Sequence, residues 1–279
     1  MNRCDYCLDD NCKKKKCNCS TCKLANECFK ILHPTIRITN KCTQKCSHCC
    51  FESSPESNIM MSVENADKIC RFLKANEIVT INVMGGEFFC NPDWYEILEM
   101  LVDSVLHMRL VTNGDWAVID SVRDKLGQFI EKNKDKLLMS LSFDNFHTNK
   151  HFEKAKAFLE STGCKLTIGQ GESESNGIVP VGRSSFSHGI YSMFGTYCGN
   201  PKTQYAFLID EEGAIYKCVF GRWQYASVDD YLVGGFAKRF KEFNKKFYGI
   251  FISNCYRCNE SAMRLIDSKE NIRRTVVPV

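Results

Sequence analysis

Residues 35–49 read TIRITNKCTQKCSHC, and this stretch decides the fold. Residues 35–39 alternate between polar and apolar side chains, which predicts a β-strand. Cys42, Cys46 and Cys49 follow with the spacing C-x3-C-x2-C. The sequence therefore predicts a first strand whose carboxyl end leads directly into a group of three thiols.

Outward from this stretch, strand and helix patterns alternate along the chain. Predicted strands cover residues 35–39, 79–83, 109–112, 138–143, 165–168 and 178–181. Predicted helices cover residues 63–76, 92–104, 117–134 and 149–161. This alternation indicates βαβ units and a parallel sheet. About six units are too few for an eight-stranded closed barrel, so we expect a partial parallel (βα)6 barrel, similar to a TIM barrel but open.

The composition is ordinary for a globular protein, with 44% hydrophobic and 25% charged residues in 279. A net charge of +4 is too small to indicate a nucleic-acid partner. The first residues carry no apolar signal segment, and no stretch approaches the roughly 20 apolar residues that span a bilayer. We therefore expect a cytoplasmic protein with neither membrane nor nucleic acid as a partner.

The 18 cysteines are the unusual feature of the composition. A disulfide scaffold is normally short and secreted, whereas clustered cysteines in a reducing compartment indicate metal or iron–sulfur sites. The thiolates of Cys42, Cys46 and Cys49 can hold three irons of a [4Fe–4S] cluster and leave the fourth iron open to a ligand. The alternative is a zinc site or three unrelated thiols, although zinc usually takes four protein ligands in structural sites.

Other strand ends carry groups suited to a charged cofactor. Glycines at the end of the second strand permit close backbone approach, and the carboxylate beside them suits an ammonium group. These residues are Gly85, Gly86 and Glu87, and polar or charged residues also follow the other strands: Asn113 after the third, Ser142 and Asp144 after the fourth, and Arg183 after the sixth. Each has a plain structural alternative, namely a strand-ending turn, polar residues at a strand end, or a surface arginine.

Together these motifs resemble the radical S-adenosylmethionine (SAM) superfamily over roughly residues 35–185. The family often has an aromatic residue where this chain has His48, and usually a proline where it has Phe88. The resemblance implies a [4Fe–4S] cluster that cleaves SAM into a 5′-deoxyadenosyl radical, which abstracts hydrogen from a substrate. It also implies an electron donor such as flavodoxin or ferredoxin, and assigns the strand-end candidates above to SAM binding.

A second cysteine group lies after the predicted barrel. A predicted hairpin, residues 205–210 and 214–218, ends in one of its cysteines, and residues 229–247 are predicted to be helical. The group, which consists of Cys198, Cys218, Cys255 and Cys258, resembles a SPASM or twitch extension. The resemblance implies one auxiliary [4Fe–4S] cluster, and a zinc site with four cysteines is the alternative.

A third cysteine group precedes the barrel and exceeds the needs of one tetrahedral site. It consists of Cys4, Cys7, Cys12, Cys17, Cys19, Cys22 and Cys28. These residues could hold a further cluster or a zinc ion, or complete a site with the C-terminal cysteines.

Two isolated cysteines, Cys90 and Cys164, lie in or near loops at strand ends. Either could donate a hydrogen atom to a substrate radical, and the alternative is that both are inert core thiols. His147 and His151 have the spacing of a shared metal site, but we interpret them as a solvated helix start, because Thr148 stands where the H-E-x-x-H motif needs glutamate.

We expect three parts: a Cys-rich metal-binding segment at 1–34, a radical SAM partial barrel at 35–190, and a small C-terminal cluster-binding lobe at 191–279. The fold class is α/β. The expected substrate is a peptide or protein that receives a cross-link, thioether or epimerisation. The alternatives are a radical SAM enzyme for a small molecule, such as a sugar or aminocyclitol, and a non-catalytic zinc-stabilised binding protein.

Overall fold

The computed structural model describes residues 32–169, 206–217 and 224–243. These residues form one eight-stranded sheet in the order β5-β4-β3-β2-β1-β6-β7-β8. The strands are β1 (His33–Arg37), β2 (Thr80–Met84), β3 (His107–Thr112), β4 (Leu137–Ser142), β5 (Lys165–Gly169), β6 (Ala206–Ile209), β7 (Ala214–Tyr216) and β8 (Gln224–Ser227). In the described part of the chain the sheet is open, and β1 to β5 are parallel neighbours.

Four helices connect or follow the parallel strands. They are α1 (Val63–Ala75), α2 (Trp94–Asp103), α3 (Asp120–Asn133) and α4 (Phe152–Ser161). The α/β fold and the parallel partial barrel predicted from the alternating pattern are confirmed. None of the described helices has the length and apolar character needed to cross a membrane.

Some predicted helix starts are wrong because shorter turns precede the helices. The helix predicted to start at residue 117 begins at Asp120, after a 3₁₀ turn at Asp115–Val118. The segment predicted as a helix from residue 229 begins as a 3₁₀ turn, and the described residues 236–243 are helical. Helix α1 begins at Val63, as predicted. The Ser62 hydroxyl caps it by accepting a hydrogen bond from the Asn65 N–H at 3.1 Å.

The predicted hairpin is present and extends the barrel sheet. Strands β6 and β7 are antiparallel, as expected, and β7 continues to β8. Strand β6 also lies parallel to β1, with Ile36 in register with Ile209. The hairpin is therefore hydrogen-bonded to the first strand of the barrel. The strand predicted at 178–181 falls outside the described residues.

The two faces of the sheet differ in polarity. One face packs against the helices, and Ile36, Val83, Leu110 and Leu141 on that face are fully buried. The strand register places polar and charged side chains on the opposite face. We call this the polar face. Its polar side chains include His33, Thr35, Asn82, His107, Arg109, Ser140, Lys165 and Thr167, and the apolar Leu138 and Val111 lie on the same face. Helices cover one side of the sheet, and the interior of the partial barrel is the polar side.

Candidate active site at the carboxyl ends of the strands

The three clustered cysteines lie in the loop that follows β1. Backbone hydrogen bonds fold this loop back on itself, from the Cys42 N–H to the Ser54 carbonyl at 3.0 Å and from the Cys49 N–H to the Cys46 carbonyl at 3.2 Å. Burial, the charge of Glu87 and the neighbouring thiols Cys49 and Cys46 raise the pKa of Cys42 to about 12. Cys46 and Cys49 therefore both act on the Cys42 thiol.

The surroundings of Cys42 suit a thiolate bound to a metal cluster. The Gln44 N–H lies 3.5 Å from Cys42 Sγ, and the Asn113 side-chain amide lies 3.7 Å from it. N–H groups directed at a cluster sulfur stabilise its negative charge and tune its potential. A bound metal deprotonates its thiol ligands, so the high pKa of the free thiol does not prevent binding. Three thiols with directed amides therefore fit a [4Fe–4S] cluster with one open iron.

Side chains from the third and fourth strand ends anchor the cysteine loop. Asp115 accepts hydrogen bonds from Thr43 Oγ1 at 2.6 Å and from Gln44 Nε2 at 3.0 Å. The buried Gln44 also accepts a hydrogen bond from the Thr148 N–H at 3.1 Å. Asn113 Nδ2 donates to Thr43 Oγ1 at 3.0 Å. The loop is therefore fixed against the same edge of the sheet at which the predicted cofactor residues lie.

The two glycines of the GGE motif admit the backbone of the cysteine loop. The Gly86 N–H donates to the Thr39 carbonyl at 2.7 Å, and the Glu87 N–H donates to the Lys41 carbonyl at 2.8 Å. A Cβ on Gly86 would lie 1.9 Å from the Lys41 carbonyl oxygen, and one on Gly85 would lie 2.4 Å from that of Thr39. A side chain at either position would collide with the backbone of the cysteine loop, which explains why both residues are glycine.

The carboxylate of Glu87 braces two strand ends. It is 1% exposed and accepts hydrogen bonds from Thr112 Oγ1 at 2.6 Å and from the Asn113 N–H at 2.7 Å. Burial raises its pKa to about 8, although these hydrogen bonds favour the charged form. Both carboxylate oxygens are therefore engaged within the chain, as are the N–H groups of Gly86 and Glu87 and the carbonyl of Glu87. The carbonyl groups of Gly85 and Gly86 are the part of this motif that could meet a cofactor.

Asp144 lies in a cluster with two histidines that the sequence patterns did not predict. Asp144 Oδ2 is 2.8 Å from His147 Nδ1 and 3.7 Å from His48 Nε2, and the three ligand atoms lie within 4.8 Å of one another. Burial acts to raise the pKa of Asp144, but His147 and the N–H groups of Phe146 and His147 lower it to about 2. The D-x-x-H spacing was the available signal. His147 pairs with Asp144, while Ser142 is half-buried at the end of β4.

The two isolated cysteines lie at opposite ends of the sheet. Cys90 closes the 3₁₀ turn that follows Glu87, and burial and the Glu87 charge raise its pKa to about 11. Cys164 precedes the first residue of β5, and its thiol donates to the Leu159 carbonyl at 3.5 Å. Cys164 is therefore at the amino edge of the sheet, at the opposite end from the cysteine loop, and its role as a hydrogen donor stays a prediction.

Several predicted site residues lie outside the described part of the chain. They are Arg183, Cys198, Cys218, Cys255 and Cys258, and the N-terminal group Cys4, Cys7, Cys12, Cys17, Cys19, Cys22 and Cys28. Their assignments stay predictions.

A parallel partial barrel with a cysteine triplet at the carboxyl end of its first strand defines a class of cluster-binding, SAM-dependent proteins. Residues 36–158 match the family model described as the radical SAM superfamily. This part of the chain is therefore similar to radical SAM domains, as the sequence motifs indicated. Such domains take a [4Fe–4S] cluster and SAM, so the family supports both of these expected cofactors.

Two curated relatives share this domain. The antilisterial bacteriocin subtilosin biosynthesis protein AlbA of Bacillus subtilis (strain 168) is 31% identical over 127 residues, which are 46% of this chain and 27% of the relative. The putative peptide biosynthesis protein YydG of the same strain is 28% identical over 116 residues, which are 40% of this chain and 36% of the relative. The matches therefore span about a third or less of these two relatives.

Solved structures share the fold at low sequence identity. BtrN in complex with AdoMet and 2-DOIA has a TM-score of 0.56 at 12% identity, covering 77% of this chain and 86% of that one. The enzyme anSMEcpe with bound AdoMet and the Cp18Cys peptide has a TM-score of 0.51 at 15% identity, covering 82% of this chain and 85% of that one. These similarities support the partial-barrel fold.

Proposed function

We propose that this protein is a radical SAM enzyme that modifies a peptide or protein. The observation that carries the proposal is the placement of Cys42, Cys46 and Cys49 at the carboxyl end of β1, within a region similar to radical SAM domains and braced by Asn113. The peptide as substrate rests on the two relatives, whose names place them in the biosynthesis of a bacteriocin and of a peptide.

The residues of the chain would hold and shield the reacting groups. Cys42, Cys46 and Cys49 would ligate three irons, and the amides of Gln44 and Asn113 would stabilise the charge on the Cys42 sulfur. When bound, the cluster supplies one electron to the sulfonium of SAM, and the 5′-deoxyadenosyl radical so formed takes a hydrogen atom from the substrate.

The strand ends next to the cysteines would bind SAM. The backbone of Gly85 and Gly86 would meet its ammonium group, with the Glu87 carboxylate keeping that backbone in place. Asn113, Ser142 and Asp144 lie at the carboxyl ends of the next two strands, where they would contact its ribose or carboxylate. Binding at this edge follows the general rule for parallel α/β sheets.

The rest of the chain would support this reaction. The division into 1–34, 35–190 and 191–279 is part of the proposal, as is an auxiliary [4Fe–4S] cluster on the C-terminal cysteine group. Flavodoxin or ferredoxin would supply the electron. Cysteine-bound clusters persist in a reducing compartment, which supports the cytoplasm as the location.

Anaerobic reconstitution tests the enzyme class. The protein is reconstituted, iron and sulfide are counted, and 5′-deoxyadenosine is measured after addition of SAM and dithionite. We expect a brown protein with about eight irons if it holds two clusters, or about twelve if the N-terminal group holds a third. A colourless zinc protein that releases no 5′-deoxyadenosine would instead identify a zinc-stabilised binding protein.

Isotope transfer tests the substrate class. Peptides with deuterium at non-exchangeable carbons are incubated with the enzyme, SAM and dithionite, and the mass of 5′-deoxyadenosine is measured. Deuterium transfer from peptides supports peptide modification. Transfer from deuterated sugars or aminocyclitols, with none from peptides, would assign a small-molecule substrate instead.

A further inference from the structure

Arg109 is a cation without an anionic partner among the described residues. It lies on β3 and belongs to the polar face, inside the partial barrel. Its Nη2 donates one hydrogen bond, to Ser140 Oγ at 2.8 Å. Its Nε is buried and has no hydrogen-bond partner. A guanidinium has five N–H donors, so most of its bonding capacity is unused within the described part of the chain.

A second arginine on the same sheet, Arg37, differs from Arg109 because it forms an ion pair within the chain. Arg37 lies at the end of β1, and its Nε and Nη2 contact the carboxylate of Glu211 at 2.9 and 2.8 Å. The Glu211 side chain is only 1% exposed. Arg37 therefore has a dedicated counter-ion from the chain, whereas Arg109 has a single neutral hydroxyl.

The neighbourhood of Arg109 is positive and polar. Asn82 is in register with Arg109, and its Nδ2 is 2.9 Å from His33 Nε2. Its Oδ1 is buried and has no hydrogen-bond partner in the described part of the chain. Lys165 lies on the same row of the sheet, because Leu138 is in register with both Arg109 and Lys165. In β2, β3, β4 and β5 no aspartate or glutamate occurs.

Two carboxylates at the described part of the rim of the sheet are already engaged. Glu87 accepts from Thr112 and Asn113, and Asp144 pairs with His147. A charge removed from water without a counter-ion is costly, and a ligand anion that pairs with it recovers much of that cost. Arginine is also the residue whose planar fork matches a carboxylate with two parallel hydrogen bonds.

We propose that the substrate carries a carboxylate that binds Arg109 on the polar face, with Asn82 hydrogen-bonding the adjoining part of the substrate. This inference rests on the proposed function, because it specifies the substrate class of that site as an acidic peptide. The carboxylate orients the substrate within the barrel and below the cysteine loop, and Arg109 acts as a specificity-determining residue.

A competition between two peptide pools tests the inference. Both pools are acetylated and amidated decapeptides randomised over uncharged residues, and they differ only in a fixed central Glu or Gln. Equimolar pools compete for the immobilised, cluster-loaded protein at physiological salt, and mass spectrometry measures the ratio retained. We expect the Glu pool to be enriched about tenfold or more by the wild type, because hydrogen bonds to a charged group are strong.

Variants assign the preference to Arg109. Arg109→Gln should retain the two pools about equally. Arg109→Lys should keep a reduced preference for the Glu pool, because lysine keeps the positive charge but cannot form two parallel hydrogen bonds to a carboxylate. Arg71→Gln is the matched control, since Arg71 lies on α1, is 55% exposed and pairs with Asp67. It should keep the wild-type ratio, and thermal melts check that each variant is folded.

The outcomes separate this inference from the proposed function. Equal retention of the pools by the wild type, or a Glu preference that survives in Arg109→Gln, would overturn the inference. Release of 5′-deoxyadenosine by the wild type without peptide is measured separately and tests the radical SAM chemistry alone. N-acetylglutamate amide is added as a competitor, and displacement at the same concentration as the peptides would identify a small-molecule carboxylate in place of a peptide.

Discussion

The carboxylate of Glu87 joins the ends of two neighbouring strands by accepting hydrogen bonds from the Thr112 hydroxyl at 2.6 Å and the Asn113 N–H at 2.7 Å. Asn113 in turn directs its side-chain amide to Cys42 Sγ and Thr43 Oγ1. A buried acid in the turn after β2 thus helps to fix the position of a thiol in the loop after β1. Asn113 therefore connects the GGE motif to Cys42.

Removal of this brace should weaken both the fold and the site. In Glu87→Gln an NH₂ group, which cannot accept a hydrogen bond, replaces one carboxylate oxygen. Either the Thr112 hydroxyl or the Asn113 N–H then loses its acceptor. We expect the free energy of unfolding to fall by about 1–3 kcal/mol. SAM should also bind more weakly, because Asn113 is no longer fixed. Denaturant titration and equilibrium SAM binding measure the two effects. Glu96→Gln, at an exposed position of α2, should change stability by less than about 0.5 kcal/mol.

Gly86 is tightly packed, whereas Gly163 has open space around its Cα, so the same substitution at each should have different effects. Gly86→Ala puts a methyl group 1.9 Å from the Lys41 carbonyl oxygen, so the cysteine loop must move, at a cost of about 3 kcal/mol. We expect reconstituted iron per chain to fall. Gly163→Ala meets no atom within 4 Å and is strained only by its φ of +68°, at a cost of about 1–2 kcal/mol. Equal iron content in the two variants would contradict the packing role of Gly86.

The ion pair of Arg37 and Glu211 should hold the hairpin against the barrel. Glu211→Gln leaves a buried guanidinium without its counter-ion, and we expect a loss of about 3 kcal/mol in denaturant unfolding. The double variant Arg37→Met with Glu211→Leu should recover much of that loss, since no charge is then buried alone. Glu64→Gln, which removes a surface pair with Lys68, should cost less than about 0.5 kcal/mol.

His33 should make the protein less stable in acid. Burial, together with the positive charge of Arg109, lowers its pKa from 6.5 to about 4. Between these two values the unfolded chain binds more protons than the folded chain, so stability falls as the pH is lowered from about 6.5 towards 4. The full effect is roughly 3 kcal/mol, as an order of magnitude.

The pH dependence can be assigned to His33 by comparison with His33→Gln, which keeps a side chain able to accept from Asn82. Unfolding at several pH values from 5 to 7.5 should give a shallower slope for the variant than for the wild type. Parallel slopes would show that His33 does not contribute to the acid sensitivity.

The sequence predicted the parts of this protein that depend on local pattern. The periodicity of apolar residues predicted the strands and the helices. The spacing of Cys42, Cys46 and Cys49 predicted the proposed cluster site. It could not predict that β6 pairs with β1, because register between distant strands depends on tertiary contacts. Nor could it show that Glu87 faces Thr112, or that Asp144 lies beside His48, since each partner comes from another part of the chain.

The spacing C-x3-C-x2-C is the clearest case in which residue chemistry alone indicated a site, and it is also the centre of the proposed function. Cys70 provides a matched comparison, because it is a core thiol on α1 that is 5% exposed and far from the loop in sequence. Cys46→Ala and Cys70→Ala remove the same atoms from two different environments.

The most direct test of the proposed function is therefore the release of 5′-deoxyadenosine from SAM by anaerobically reconstituted wild type, Cys46→Ala and Cys70→Ala under dithionite. We expect release by the wild type and by Cys70→Ala, and none above background by Cys46→Ala, with a matching loss of iron in that variant. Release by Cys46→Ala at the wild-type rate, or no release by a fully loaded wild-type protein, would contradict the assignment of this loop as the SAM-cleaving site.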